Sequence, residues 1–245
     1  MKFAGIIPAR YQSTRFPGKP LAMIKDKPMI QWVYENASKT LDQVWVATDD
    51  ERIFKAVQNF GGRVVETLPT HQSGTDRCAE AARIVSENAD FDVVINIQGD
   101  EPFLKPGQID RLKGCFEDNG VEIATLVKRI ETEEELFNPN RPKVVLDANQ
   151  NALYFSRSPI PFIRGEEEIN WHLKHDFWAH IGLYAFKAEV LQRLTQLKQT
   201  PLELAESLEQ LRWLENGYKI KTAETSFQTI GIDTPEDLQA ALQLF

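Results

Sequence analysis

FAGIIPARYQSTRFPGKP, residues 3–20, changes character abruptly in its middle. Phe3 to Ile7 is a short apolar run that stops at Pro8, the pattern of a strand buried on both faces of a parallel sheet. Ala9 to Pro20 then turns polar. It gathers Arg10, Arg15 and Lys19 within ten positions, with hydroxyls at Ser13 and Thr14 and Gly18 beside the lysine. Three cations in a loop are, by themselves, an ordinary solvated surface. After a buried strand they read differently, because a triphosphate needs backbone amides, hydroxyl donors and cations on a tight turn. The loop is not a Walker loop, since GxxxxGK[ST] is absent, and no GxGxxG follows the strand, which argues against a plain dinucleotide-binding domain.

Outward from this loop, strands and helices alternate. Pro28–Ser38 has Met29, Ile30, Val33 and Ala37 at helical spacing, and Val44–Ala47 reads as a strand. Asp50–Phe60 is a helix stopped by Gly61-Gly62, Val64-Val65 begins a strand, and Thr75–Glu87 is a helix. Asp92–Ile97 is a buried strand and Pro106–Asp118 a helix. This order predicts an α/β fold, a mostly parallel sheet flanked by helices, with ligands at the carboxyl ends of its strands. From Ile123 the pattern changes. Ile123–Val127, Lys143–Asp147 and Ala152–Ser156 read as strands, expected antiparallel, with turns at Asn138–Pro142 and Asp147–Asn151. Ala179–Phe186 is a further strand, Pro201–Trp213 one helix, Lys219–Glu224 a strand and Pro235–Leu244 a last helix capped by Thr234. The expected division is a core of residues 1–122 plus about 190–245, with about 123–189 inserted as a smaller, strand-rich mixed α+β lobe.

The bulk composition narrows the partners. The chain has 245 residues, 42% of them hydrophobic and 10% aromatic, enough for a substantial core and too apolar for disorder. Its formal net charge of -8 repels nucleic acid and anionic lipid, so neither is an expected partner. Cys78 and Cys115 have no metal-ligand or disulfide spacing. The apolar N-terminal run is too short for a leader or a membrane span, so a cytoplasmic, soluble protein is expected.

Two further stretches could carry chemistry. Gln98-Gly99-Asp100-Glu101-Pro102 ends the Asp92–Ile97 strand, and an acid there suits Mg²⁺, which takes one or two carboxylates beside phosphate oxygens. A bare turn would look the same. Asp233 is the candidate second acid, although it borders the Thr234 helix start. His71–Arg77, HQSGTDR, precedes a helix and could present amides and hydroxyls to a ligand; Thr75 could equally be a plain helix cap.

IIPARYQSTRFPGKPL, ATDD, HQSGTDR, NIQGDEP, FNPN, KVVLD, ALYFSRSPIP, HIGLY, LEQLR and GIDTPEDL, in this order from Ile6 to Leu238, resemble the 3-deoxy-manno-octulosonate (Kdo) cytidylyltransferases. The resemblance implies a Rossmann-like nucleotidyltransferase sheet with a lobe that supports a homodimer. It implies transfer of CMP from CTP to Kdo with Mg²⁺, pyrophosphate leaving, for lipopolysaccharide synthesis. By position it gives Arg10, Ser13, Arg15 and Lys19 to the triphosphate. Pro8, Ala9, Ser73, Gly74, Arg77 and Gln98 fall to the cytidine pocket. Asp100 and Asp233 fall to the metal, and Arg157, His180, Tyr184, Glu209 and Gln210 to the sugar acid. Arg15, Lys19, Asp100 and Asp233 are the expected catalytic set, and a general-base role for His180 is the weaker reading. Asp76 departs from the family's usual Glu, and FIRGEEEINWHLKHDFW, residues 162–178, is unfamiliar and expected to be a flap or dimer contact. Transfer to 8-amino-Kdo or a sialic acid is the nearest alternative. A non-catalytic nucleotide-sugar binder would be expected to lack a metal aspartate or the loop lysine, and neither is missing.

Overall fold

The structure is a computed structural model and describes residues 1–12, 15–227 and 231–243. The chain resolves into two compact units, Met1–Asp110 with Leu183–Thr195 and Thr229–Phe245, and Arg111–Gly182 with Gln196–Gln228.

In the first unit, strand Phe3–Pro8 lies between Val44–Thr48 and Val93–Asn96, and Val64–Glu66 joins Val44–Thr48; all three pairings are parallel. Ala4, Ile6, Ile7, Val46 and Val93–Ile95 are fully buried, as the uninterrupted apolar runs predict. The chain crosses from Phe3–Pro8 to Val44–Thr48 on one side, then returns through Gly74–Val85 to Val93–Asn96 on the other. The switch in strand order therefore falls between Phe3–Pro8 and Val93–Asn96, and the two loops leaving their carboxyl ends flank it. Tyr184–Lys187 pairs antiparallel with Val93–Asn96. The expectation of a mostly parallel sheet holds. The helices fit their sequence signals: Asp50 caps Glu51–Asn59 and Thr234 caps Pro235–Leu242, each by its side chain.

The second unit mixes antiparallel and parallel pairings. Lys143–Leu146 and Ala152–Ser156 form an antiparallel hairpin, whose first strand also pairs antiparallel with Trp178-Ala179. Ile123–Arg129 instead takes a parallel partner, Ile220–Glu224. That pairing draws residues 196–228 into this unit, so the expected division at about 190 does not describe the folded chain. A buried cluster of Ile130, Leu136, Trp171, Phe177 and Ala179 anchors part of the unfamiliar 162–178 segment.

The single helix expected over Pro201–Trp213 is two helices, Pro201–Glu206 and Gln210–Glu215. Ser207 breaks it, in a left-handed conformation with φ 51°. The break turns the Glu206 and Ser207 carbonyls away from helical pairing and onto the guanidinium of Arg157. No feature of the local sequence signals this, because serine adopts that conformation only under tertiary direction.

Candidate active site

The loop after Phe3–Pro8 is shaped by glycine and fastened by an aromatic ring. Gly18 has φ +73°, and its amide donates to the Tyr11 carbonyl at 2.8 Å. A Cβ there would meet Tyr11 Cζ at 3.0 Å, so the close turn and the sign of φ both require glycine. The Arg52 guanidinium stands 3.2 Å from the Tyr11 ring centroid and is itself held by Asp50. These contacts tie the loop to the helix beside it and aim Lys19 at the neighbouring strand end.

Lys19 Nζ lies 2.6 Å from Asp100 Oδ2 and 3.2 Å from Asp233 Oδ1, and Arg15 reaches Asp233 Oδ1 at 3.1 Å. The two aspartates are brought together by backbone as well, since the Ile232 amide donates to the Asp100 carbonyl at 2.9 Å. Asp233 is free of capping duty, because Thr234 caps Pro235–Leu242 and Asp237 Oδ2 receives the amides of both Asp233 and Thr234. Those amides, working against burial, hold the Asp237 carboxyl below its ordinary value. Gly99 allows the strand ends to close, since a Cβ there would come within 2.9 Å of the Pro8 carbonyl oxygen.

The third wall is the start of helix Gly74–Val85. Ser73, not Thr75, is its cap: Ser73 Oγ accepts the Asp76 amide at 3.1 Å and the Ser73 amide donates to Asp76 Oδ2 at 3.2 Å. Asp76, the departure from the usual Glu, thus closes a full capping box. Arg77 is almost wholly buried and binds Thr67 Oγ1 at 2.6 Å and Asp49 Oδ1 at 2.9 Å, so it buttresses two strand ends. His71 Nε2 sits 2.6 Å from Glu80 Oε2. Burial alone would raise the Glu80 carboxyl, but the His71 bond and the Leu68 amide bring it below its ordinary value.

Pro8, Ala9, Arg10, Arg15, Lys19, Ser73, Gly74, Arg77, Gln98, Asp100 and Asp233 all line one cleft of about 290 Å³. Ser13 lies outside the described residues. Pro20, His71, Gln72 and Gly99 also line the cleft and were not among the expected site residues, although HQSGT and QGDEP contain three of them. Arg10, Arg15 and Lys19 face two carboxylates there, leaving positive charge for an anion. The oxygen-only pair Asp100 and Asp233 already shares one cation, the Lys19 ammonium, and its donors are of the kind a hard divalent ion takes. Among the described residues no group of three or more His, Cys, Asp or Glu forms a metal cluster, so any ion here must draw its remaining ligands from elsewhere.

The expected sugar residues stand in other surroundings. Tyr184 belongs to the first unit, opposite Asn96 in register and stacked on Phe186 at 5.7 Å. The other four belong to the second unit. Arg157 donates to the carbonyls of Glu206 (2.7 Å), Pro139 (3.0 Å) and Ser207 (3.2 Å). Glu209 Oε1 lies 3.3 Å from Arg212, and Gln210 is buried with no hydrogen-bond partner for its Nε2 among the described residues. His180 Nε2 lies 3.1 Å from Thr125 Oγ1, and its ring meets Phe155 edge-on at 5.1 Å. Burial pushes its pKa down to about 3, so near neutral pH it is an uncharged hydrogen-bonding ring and a poor proton acceptor. This weighs against a general-base role for His180.

A family model described as cytidylyltransferase matches residues 4–220. The 3-deoxy-manno-octulosonate cytidylyltransferase of Parabacteroides distasonis is 61% identical, covering 99% of this chain and 97% of its own. That of Bacteroides thetaiotaomicron is 59% identical, covering 98% and 97%. A solved CMP:2-keto-3-deoxy-manno-octonic acid synthetase complexed with CTP superposes with a TM-score of 0.90 at 43% identity, covering 100% of this chain and 98% of that one. A glucose-1-phosphate thymidylyltransferase of Bacillus anthracis, at 19% identity and a TM-score of 0.63, shares the fold alone. Among the described residues no helix is long and apolar enough to cross a membrane.

Proposed function

The chain belongs to the 3-deoxy-manno-octulosonate cytidylyltransferases, and we propose on that premise that it transfers CMP from CTP to the anomeric 2-hydroxyl of Kdo, releasing pyrophosphate. One observation carries the reading: the loop cations Arg15 and Lys19 and the carboxylates Asp100 and Asp233 converge at the carboxyl ends of two adjacent parallel strands. The Kdo 2-hydroxyl oxygen attacks the α-phosphorus, the α–β phosphoanhydride bond breaks, and the hydroxyl proton is lost. Such a transfer depends on alignment and charge neutralisation rather than on a covalent intermediate.

Each residue then has a task. Arg10, Arg15 and Lys19 bind the triphosphate, and Arg15 and Lys19 stabilise the leaving pyrophosphate. Gly74 presents a helix N-terminus suited to anionic oxygen. Pro8, Ala9, Ser73 and Gln98 line the cytidine pocket, which Arg77 braces from below. Asp100 and Asp233 would hold Mg²⁺. When bound, the ion neutralises phosphate charge and lowers the pKa of an attacking hydroxyl. Arg157 binds the Kdo carboxylate with the donors its carbonyl contacts leave over, and Gln210 offers the sugar a buried amide. His180 and Tyr184 contribute hydrogen bonds and shape, and Glu209 accepts from sugar hydroxyls. The same reading makes the protein a cytoplasmic homodimer that supplies activated Kdo to lipopolysaccharide synthesis.

The test is pyrophosphate release from each of the four nucleoside triphosphates with Mg²⁺, with Kdo, with a sialic acid, and without acceptor. Release from CTP and Kdo alone is the expected result. Silence with every pair would sink the proposal.

A further inference from the structure

One buried cation of the second unit has no task in this scheme. Lys143 is 0% exposed, and strand register sets it opposite Ser156 on one side and Ala179 on the other. Its ammonium donates to the Asn138 carbonyl at 3.0 Å. Burial pushes its pKa down to about 8, the charge of Arg157 adds to that, and Glu206 opposes it. Keeping an ammonium in such a place is costly unless its charge and its hydrogen bonds are used.

The turn that begins at Asn138 shows how they are used. The Asn138 carbonyl accepts the Arg141 amide at 3.1 Å as well as Lys143, and Asn138 Oδ1 accepts the Asn140 amide at 2.9 Å. The next carbonyl, Pro139, receives Arg157 Nη1 at 3.0 Å. Two consecutive carbonyls of one turn therefore hold two cations. Glu206 acts against the depression of the Lys143 pKa, and its carboxylate oxygens take Ser156 Oγ at 2.6 Å and the Arg157 main-chain amide at 2.8 Å. Arg157 is the less buried of these two cations.

We propose that Lys143 is a positioning residue for the sugar acid. It fixes the turn from which Pro139 aims the Arg157 guanidinium at the substrate carboxylate. The proposal rests on the assignment of Arg157 to that carboxylate.

The test is steady-state kinetics of Lys143→Met and of Lys143→Gln, which keeps a donor, each alone and combined with Arg157→Ala. In folded variants the KM for Kdo should rise about tenfold for Lys143→Met while the KM for CTP stays within roughly twofold. In the Arg157→Ala background the same change should move the Kdo KM by less than roughly twofold, because the effect acts through Arg157. Equal rises in both KM values, a fall in kcat alone, or full additivity with Arg157→Ala would overturn it. Should both variants unfold, the Lys143 ammonium resonance of the wild-type protein decides: it should shift on saturation with Kdo and not with CTP, and a signal indifferent to Kdo overturns the proposal. Wild-type protein that makes no pyrophosphate from CTP and Kdo removes the underlying assignment itself, a failure distinct from any of these.

Discussion

The strand-end cleft of the first unit and the Lys143–Arg157 cluster of the second both place cations against carboxylates, but in opposite ways. In the cleft, Lys19 and Arg15 meet Asp100 and Asp233 through side chains that are partly exposed. In the cluster, Lys143 and Arg157 spend their donors on backbone carbonyls of Asn138, Pro139, Glu206 and Ser207. Side-chain pairs near water can be exchanged for phosphate oxygens at small cost. Cations locked to backbone cannot move, but they can present a fixed charge in a fixed direction. The first arrangement suits a site that must handle changing charge during a reaction. The second suits selection of one substrate group.

Three changes would break or sharpen this contrast. The largest effect is expected from Asp100→Asn. It should lower kcat by about a thousandfold or more while leaving the circular dichroism spectrum and Tm close to wild type, because it removes a charge from an exchangeable pair and no core contact. A variant that stays active would take chemistry away from the cleft. Next, Arg157→Lys should raise the KM for Kdo about tenfold and leave the KM for CTP unchanged, since one ammonium cannot serve three carbonyls and a carboxylate together. An equal change in both constants would show that the cluster does not select the sugar.

The smallest effect concerns pH. Burial holds His180 neutral, with a pKa of about 3. Its unfolded counterpart takes up a proton near about pH 6.5, so the stability owed to the neutral ring is present above that pH and is lost progressively as pH falls below it. The wild-type Tm should therefore drop between about pH 7.5 and 5, and His180→Gln should drop less. Parallel Tm curves for the two proteins would return His180 to the list of candidate bases.

How much of this could be read beforehand differs between the two regions. The parallel strands were legible from their continuous apolar runs, and the Asp50 and Thr234 helix starts from their caps, because those signals are local. Lys19, Asp100 and Asp233 could be named as candidates because each follows a strand end or precedes a cap. Thr75 was an ambiguous cap because Ser73, two positions before it, is a capping residue type too, and only the reciprocal bonds between Ser73 and Asp76 decide for Ser73. The broken helix at Ser207 and the parallel partner of Ile123–Arg129 were not legible, since both depend on groups distant in the chain.

The sequence by itself determined the α/β class, the basic loop at residues 9–20, and the family, because strand burial, turn chemistry and motif order are written residue by residue. Tertiary structure alone decided that Lys19 stands between Asp100 and Asp233, that Asp233 is spared from capping, and that Arg157 is pinned by a broken helix and a proline turn. The physical reason is the same in each case. A charged side chain takes its meaning from the partners that folding brings within hydrogen-bond reach, and those partners lie far away along the chain.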